Sequence, residues 1–329
     1  MKKRLIFVLV IVVAIFMLVA CSAPAQQSSE PSQPAATSSG GGDEPAAGGN
    51  IKIGVSIPNI ANPFYNRIMD GFLAGAKDGD EVVFVDAGLD HAKQLADIED
   101  MVNNGCDIIC IDASDPKGIK AAMDFCISKG IPVIIYDNTV ENPELAETTI
   151  VSDNSQAGYL GGKIMAETIK EGNVAMYNFS ISAVCVERAD GFKAAIEEFG
   201  DGKIFIVNEQ EGDPTVDAAM PIMEAVLQSN PDIVGVWALN DPSAIGCIAA
   251  IESAGKLAQI SVVAVDGNEE AKQAIRDGKM LATVAQDGVL IGKTTTETCY
   301  KVLAGQKVEP LIYIPVTLIT IENVDTVDV

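Results

Sequence analysis

Polar side chains that can hydrogen-bond a ligand follow several apolar stretches of this 329-residue sequence. They follow five segments predicted to be buried strands, at or shortly after the strand end: Asn62, Asp137 with Asn138, Asn240 with Asp241, Asp266, and Gln286. Ligands of open α/β sheets lie at the carboxyl ends of the strands. Asn62-Pro63 and Asp241-Pro242 also fit the start of a helix, so each alone could be a cap. The five together are harder to explain by capping and indicate a hydrogen-bonding site.

The sequence offers little for covalent or metal catalysis. Its single histidine, His91, has no nucleophile motif beside it, and a Ser-His-Asp or Cys-His arrangement would depend on that residue. No His/Cys cluster has the spacing of a zinc site. Gly288–Thr294 resembles a phosphate-binding loop, but it is one residue short and apolar side chains fill it. We therefore predict a protein that is not an enzyme and uses no metal or cofactor.

Alternating strands and helices would position these polar side chains. Ten apolar strands are predicted, from Ile51–Ile57 to Leu281–Ala285, with amphipathic segments between them. Near-continuous apolar strands separated by helices are typical of parallel sheets covered on both faces. Ten strands are more than a single open sheet usually holds in a chain of this length. The predicted fold is therefore α/β, with two doubly wound parallel-sheet lobes that divide at Thr148–Asn154.

The amino terminus carries the pattern of an export signal followed by a flexible segment. The basic start Met1-Lys2-Lys3-Arg4 precedes the apolar run Leu5–Ala20, and Cys21 follows it. The ending Leu-Val-Ala-Cys resembles the lipobox of bacterial lipoproteins, in which the cysteine is acylated. An uncleaved anchor is the alternative, although the run is short for a ~30 Å bilayer core. We predict a signal peptide over 1–20, then a lipidated Cys21 and a disordered tether over 21–49, which would hold the protein on the extracytoplasmic face of the cell membrane.

Charge and cysteine content narrow the function further. A formal charge of −24 repels phosphate backbones and argues against a nucleic-acid partner. The same charge disfavours a strongly anionic ligand. Six cysteines remain after Cys21, most of them inside apolar runs. A chain of this size needs no disulfide staples, so we expect buried free thiols rather than disulfides.

An ordered series of motifs from Ile51 to about Asn323 resembles the ribose-binding-protein family of ABC-transporter solute receptors, which have the type I periplasmic binding protein fold. The series includes Asn62-Pro63-Phe64-Tyr65, Gly130-Ile131-Pro132-Val133, Ser152-Asp153-Asn154, Arg188-Ala189-Asp190-Gly191-Phe192, Asn240-Asp241, Val265-Asp266-Gly267 and Ala285-Gln286. Each motif is weak alone, whereas their order and spacing together are specific.

The resemblance implies a lobe boundary and a set of ligand contacts. The chain would cross a three-segment hinge, which gives an N-terminal lobe of residues 51–152 plus 287–316 and a C-terminal lobe of 153–286 plus 317–329. The contacts carried over by position are Asn62, Phe64, Tyr65, Asp137, Asn138, Arg188, Asn240, Asp266 and Gln286. Planar polar groups hold sugar hydroxyls bidentately, and aromatic rings cover the C–H faces of a sugar.

Two departures from the family pattern bear on the ligand. Asn138 stands where several sugar receptors have an arginine, so ribose itself is not implied. Gly212-Asp213-Pro214 stands where a third stacking aromatic often appears, which would leave room for a larger or differently shaped ligand. Trp237, the only tryptophan, lies within a strand and is predicted to be part of the core.

The resemblance thus implies an extracytoplasmic solute-binding lipoprotein of an ABC importer. It would bind a neutral monosaccharide or polyol between the lobes and deliver it, as a monomer, to a membrane permease. The same fold could instead bind a nucleoside or a quorum signal, or serve a sensor kinase. An extracellular sugar-processing enzyme is a further alternative, which the missing catalytic constellation disfavours.

Overall fold

Two six-stranded sheets form the part of the chain that the computed structural model describes, residues 50–327. The predicted signal peptide, Cys21 and the tether over 21–49 lie outside the described residues. The strands are β1 (Lys52–Ile57), β2 (Glu81–Asp86), β3 (Ile108–Ile111), β4 (Val133–Tyr136), β5 (Thr148–Ser152), β6 (Gly172–Asn178), β7 (Ile204–Glu211), β8 (Ile233–Ala238), β9 (Ser261–Asp266), β10 (Ala282–Gln286), β11 (Leu311–Ile314) and β12 (Val316–Thr320).

Nine α-helices connect these strands within residues 50–327. They are α1 (Phe64–Gly75), α2 (His91–Asn103), α3 (Lys120–Ser128), α4 (Asn154–Ile169), α5 (Ala183–Phe199), α6 (Val216–Ser229), α7 (Asp241–Ser253), α8 (Glu269–Arg276) and α9 (Gly288–Leu303). None of the helices described is long and apolar enough to cross a membrane.

Each sheet is the centre of one lobe. The first lobe contains strands in the order β11-β5-β4-β3-β1-β2, and all of its pairings are parallel. The second lobe has the order β12-β10-β9-β8-β6-β7, parallel except for β12, which runs antiparallel to β10. The predicted fold class, α/β with two doubly wound lobes, is confirmed.

Strands β11 and β12 were not found from the apolar pattern, although all ten predicted strands are present. Both lie at a sheet edge, where one face stays open to solvent. Leu311 and Tyr313 of β11 are exposed, so the continuous apolar run that marks a buried strand is missing. The family resemblance had assigned this tail to the lobes without predicting its strands.

The chain passes between the lobes at three places: after β5, after β10, and between β11 and β12. The third crossing lies at Pro315, one residue earlier than the predicted boundary after residue 316. Val316 pairs with Gln286 in the second sheet. Proline has no N–H to continue the β11 ladder, which explains why the strand ends there.

The apolar interior is well filled on both sides of the crossings. In the second lobe, Trp237 is fully buried and its ring lies 5.5 Å from that of Phe192, so its predicted core position is confirmed. Six cysteines, Cys106, Cys110, Cys126, Cys185, Cys247 and Cys299, are buried free thiols, as the sequence analysis expected.

Candidate functional site

A cavity of about 100 Å³ lies between the carboxyl ends of the two sheets. Its lining includes all nine residues named from the sequence: Asn62, Phe64, Tyr65, Asp137, Asn138, Arg188, Asn240, Asp266 and Gln286. Residues separated by more than two hundred positions in the chain therefore meet at one place, and both lobes contribute to it.

The loop between β1 and α1 supplies the aromatic wall of the cavity. The side-chain oxygen Oδ1 of Asn62 accepts a hydrogen bond from the Phe64 backbone N–H at 3.0 Å, which fixes the entry into α1. The rings of Phe64 and Tyr65 lie 5.6 Å apart and are tilted by 58°. They can cover two differently oriented apolar faces of a small ring.

Two carboxyl groups, those of Asp112 and Asp137, lie beside the Tyr65 hydroxyl. Tyr65 donates a hydrogen bond to Asp112 Oδ2 at 2.9 Å, and its oxygen is 3.5 Å from Asp137 Oδ2. Asp137 lines the cavity. Burial raises the pKa of Asp112 well above its ordinary value, and the charge of Asp137 adds to that rise. Burial also raises the pKa of Asp137, against the opposing effect of the Arg188 charge.

Asp112 is a residue that the sequence analysis missed. It follows β3 directly and is completely buried. Its position after a strand is the same signal that identified Asp137 after β4. The sequence therefore contained the information, but no motif of the family resemblance covered β3.

Arg188 is the only cationic side chain among the described residues that line the cavity. It lies on α5 with only 4% of its surface exposed, and its Nε donates to Asn154 Oδ1 at 2.7 Å. Nη1 donates to the Leu239 carbonyl at 3.2 Å and lies 3.8 Å from Asp266 Oδ1. A close crossing of α4 and α5 holds it there: a Cβ added at Gly158 would lie 1.8 Å from the Arg188 carbonyl oxygen.

Asp266, at the end of β9, accepts hydrogen bonds from both lobes. Gln286 Nε2 donates to its Oδ1 at 2.9 Å, and Asn62 Nδ2 of the first lobe donates to its Oδ2 at 3.1 Å. Burial raises the pKa of Asp266 to about 6, while Arg188 and these two hydrogen bonds act in the opposite direction. The side-chain oxygen of Gln286, Oε1, is buried without a partner among residues 50–327, so an acceptor remains for a donor group in the cavity.

Asn240 both caps a helix and lines the cavity. Its side-chain oxygen accepts from the Ser243 N–H at 3.0 Å at the start of α7, and its Nδ2 donates to the Pro214 carbonyl at 3.2 Å. The neighbouring Asp241 lies outside the cavity lining. Its carboxyl accepts from the Asn268 N–H and the Thr283 hydroxyl, which supports the loop after Asp266. Asn240 is therefore a helix cap as well as part of the cavity lining, and its contact with a ligand stays a prediction.

The two lobes are joined across the cavity by direct hydrogen bonds. Besides the Asn62–Asp266 contact, Asn268 Nδ2 donates to Asn62 Oδ1 at 3.1 Å. On another side, the Ser182 hydroxyl of the second lobe donates to Asn138 Oδ1 of the first at 3.0 Å. Asn138 thus takes part in a contact between lobes in addition to lining the cavity. The lobes are closed on one another.

Part of the segment Gly212-Asp213-Pro214 lies in the wall of the cavity. Pro214 lines the cavity, and so does Phe179, which follows β6. Phe179 supplies a third aromatic ring from the second lobe, at a position that no sequence motif indicates. The room for a larger or differently shaped ligand at Gly212–Pro214 stays a prediction.

Comparisons with known proteins agree with this architecture. The family model of the periplasmic binding protein domain matches residues 53–307. The ribose import binding protein RbsB of Bacillus subtilis (strain 168) is 35% identical over 271 residues, which are 82% of this chain and 87% of that protein. RbsB of Escherichia coli (strain K12) is 31% identical and covers 78% of this chain and 86% of its own length.

Solved structures show the same likeness. An ABC transporter solute binding protein from Bacillus halodurans C-125 with bound myo-inositol is 30% identical, with a TM-score of 0.78. The match covers 85% of this chain and 98% of that one. The solute binding protein from Mycobacterium smegmatis with bound glycerol is 32% identical at the same TM-score and covers 84% of this chain and 96% of its own.

Proposed function

The chain belongs to the periplasmic binding protein domain family, and on that premise we propose that it is the sugar receptor of an ABC importer. It takes one neutral monosaccharide or polyol into the cavity between its lobes. The observation that carries the proposal is the meeting of nine polar and aromatic side chains from both lobes around one cavity.

The chemistry of the lining suits a polyhydroxylated ligand. Sugar hydroxyls donate and accept at once, and the lining offers carboxylates, amides and one guanidinium to match them. Phe64, Tyr65 and Phe179 supply faces for the C–H groups. A cavity of about 100 Å³ lies below the ~300–1,000 Å³ of typical ligand pockets, so it suits a single small ligand and excludes an oligosaccharide.

Hinge closure is the mechanism that we infer. A ligand that touches Asp137 in one lobe and Arg188 in the other stabilises the closed arrangement over an open one by its differential affinity. The hydrogen bonds that Asn62 forms with Asp266 and Asn268 then stabilise the closed arrangement directly, in addition to the contacts made through the ligand. The function is therefore binding and release, and we propose no catalytic role.

We also propose that Cys21 carries a lipid anchor and that the loaded receptor delivers its ligand, as a monomer, to a membrane permease. The first described residues support this arrangement. The Ile51 N–H donates to Asp80 Oδ1 at 2.9 Å. This contact lies at the amino end of β1, whereas the cavity lies at the carboxyl ends of the strands. A tether that leaves there would keep the cavity free. A sensor-kinase partner remains the alternative, which permease and ATPase genes beside this gene would disfavour.

Melting shifts with a ligand panel test the proposal. A soluble form that begins after Cys21 would be heated with D-ribose, D-allose, L-arabinose, myo-inositol, glycerol and nucleosides. A ligand at about 1,000 times its Kd stabilises the fold by about 4 kcal/mol, a shift of several degrees at this size. Stabilisation by one or a few sugars or polyols is expected. Shifts with nucleosides alone, or with none of these compounds, would contradict the proposed ligand class.

Two variants make the test specific for the cavity. Asp266→Ala should abolish the shift because Asp266 lies at the junction of both lobes. Asp124→Ala is the matched control: Asp124 is exposed on α3 and pairs only with Lys120, so the shift should persist.

A further inference from the structure

One buried carboxyl group near the cavity has no role in the binding scheme above. Asp112 is completely buried, lies behind Tyr65 and does not line the cavity. Within residues 50–327, Asp112 Oδ1 and Asp137 Oδ1 are both buried without a hydrogen-bond donor. Both carboxyl groups nevertheless lie beside one hydroxyl, that of Tyr65, which is 2.9 Å from Asp112 Oδ2 and 3.5 Å from Asp137 Oδ2. A single proton shared by the two carboxyl groups would supply the hydrogen-bond donor that these acceptor atoms lack.

The charges around the pair favour one proton over none. Arg188 lowers the pKa of Asp137. Burial and the Asp137 charge raise the pKa of Asp112, against the smaller opposing effect of hydrogen bonds from Tyr65 and Asn138. Two adjacent buried carboxylates cannot both ionise without a large cost, and one of them keeps its proton. Asp112 is therefore the neutral member and Asp137 the charged one.

The side chains that face the pair come from five elements. They are Tyr65 of α1, whose hydroxyl donates to Asp112; Tyr136 of β4, whose hydroxyl donates to the Ser56 carbonyl; Asn138 after β4; Gln94 of α2, whose amide donates to the Asp112 main-chain oxygen; Arg188 of α5; and Asp266 at the end of β9. Arg188 is the only cation among them.

We propose that Asp112 is a positioning residue of the binding site, which shares one proton with Asp137 in the closed receptor and so fixes the Asp137 oxygen that accepts from the ligand. The inference rests on the proposed function, because Asp137 is the group that would touch the ligand. No covalent bond changes. The proton comes from solvent. Both carboxyl groups belong to the first lobe and Asp112 lies behind Tyr65, so the pair still holds part of its proton when the lobes open, and closure increases the share that is bound.

The proposal predicts the direction of the pH dependence. Burial raises the pKa of both carboxyl groups in the closed form, whereas an open cleft hydrates Asp137 and returns it toward its ordinary range. Closure therefore takes up a proton, and affinity falls as pH rises from the ordinary carboxyl range through the raised pKa. Asp266, with its pKa raised to about 6, acts with the same sign, so a wild-type profile alone does not isolate Asp112.

The decisive comparison uses two substitutions of Asp112. In Asp112→Asn, the amide copies the protonated acid: its oxygen accepts from Tyr65 and its NH₂ donates to Asp137. In Asp112→Ala, both neighbours lose their partner. Isothermal titration with D-ribose and with myo-inositol between pH 5 and pH 8 would measure affinity and, in buffers of different ionisation enthalpy, proton uptake.

We expect Asp112→Asn to bind within about threefold of wild type at pH 5, with a flatter pH profile and less proton uptake. Asp112→Ala should lose about tenfold or more across the range, because a buried charge is left without its hydrogen-bond partner. Asp107→Asn is the matched control, since Asp107 is exposed just before β3 and accepts from the Lys52 N–H; it should keep the wild-type profile. An Asp112→Asn variant with the wild-type profile, or one as weak as Asp112→Ala, would overturn the proposal.

A measurement without ligand separates this proposal from the proposed function. A group whose pKa is raised by folding makes the folded state bind protons more tightly, so its contribution to stability declines as pH rises from its unfolded pKa to its folded pKa. The free energy of unfolding of wild type should therefore fall more between pH 5 and pH 8 than that of Asp112→Asn. An equal fall in both would refute the shared proton. Failure of every sugar to bind would instead refute the proposed function alone.

Discussion

Asp137 and Asp266 line the same cavity from different lobes, and both hold their backbone in the positive-φ region, at 61° and 134°. Within residues 50–327, only three other non-glycine residues do so. Such conformations cost about 1–3 kcal/mol each and persist where the surroundings impose them. Each Asp follows or ends a buried strand, so the turn into the next loop sets the direction of its carboxyl group.

This strain should be measurable by comparing alanine with glycine at position 266. Both Asp266→Ala and Asp266→Gly remove the carboxyl group and should abolish ligand binding. At an ordinary position alanine is more stable than glycine by about 0.5–1 kcal/mol, but positive φ reverses the order. We expect the glycine variant to be the more stable by about 1 kcal/mol, measured by urea unfolding.

The same pair of substitutions at Asp124 is the control. Asp124 is exposed within α3, where alanine is the better helix former. Asp124→Ala should therefore be more stable than Asp124→Gly, and both should bind ligand normally. The same order at both positions would mean that the backbone at Asp266 stores no strain.

The position of Arg188 should depend on Gly158. A methyl group at Gly158 would meet the Arg188 carbonyl oxygen at 1.8 Å, and backbone cannot move aside as a side chain can. Gly158→Ala should destabilise the fold by about 1–3 kcal/mol despite a helix-propensity gain of about 1 kcal/mol. Because α5 must shift, we also expect weaker ligand binding, measured by calorimetry.

Gly161→Ala, in the same helix, is the matched control. Its added methyl would approach a Val263 side-chain carbon at 3.1 Å, which can give way by a few tenths of an ångström. We expect little loss of stability and unchanged affinity. Similar losses in both variants would show that the effect is general to α4 and does not act through Arg188.

Much of the site was predictable because its residues obey one local rule. Asp137, Asp266 and Gln286 come at the ends of continuous apolar strands, and topology alone brings such ends to one edge of a sheet. The resemblance then added Arg188, which lies inside a helix and follows no such rule. Fold class and ten of the twelve strands followed from the same apolar periodicity.

The rest could not be predicted because it depends on contacts between distant segments. Nothing local indicates that Asn138 meets Ser182, or that Phe179 lines the same cavity as Pro214. The edge strands β11 and β12 are not buried on both faces, so their apolar sequence pattern is weak. Asp112 does not depend on such contacts: it follows β3 directly, as Asp137 follows β4, so the same local rule covers it.

Lipid attachment at Cys21 can be tested directly in cells. Cys21→Ser removes the thiol that acylation requires, so the variant should partition into the aqueous phase of a detergent extraction while the wild type enters the detergent phase. Cys126→Ser is the control, because Cys126 is a buried thiol of the first lobe; it should partition like the wild type. Detergent partition of the Cys21→Ser protein would refute the anchor and leave the binding function intact.

The Ser182–Asn138 hydrogen bond should act as a latch between the lobes. Ser182→Ala removes the donor of a 3.0 Å bond across the cavity. A typical net value of about 0.5–1.5 kcal/mol for such a bond corresponds to an affinity loss of about two- to twelvefold. The loss should lie mainly in the dissociation rate, measured by stopped-flow fluorescence, because the bond exists only in the closed form.

A double-mutant cycle distinguishes this latch from a ligand contact. If Asn138 acts only through Ser182, the losses in Asn138→Ala and in the double variant should equal that of Ser182→Ala, and all sugars should be affected alike. If Asn138 also binds the ligand, Asn138→Ala loses more and changes the order of preference among sugars. Ser180→Ala, an exposed hydroxyl in the same loop, should change neither rate nor preference. An unchanged dissociation rate in Ser182→Ala would mean that closure does not depend on this bond, and the contacts of Asn62 with Asp266 and Asn268 would then be the ones to test.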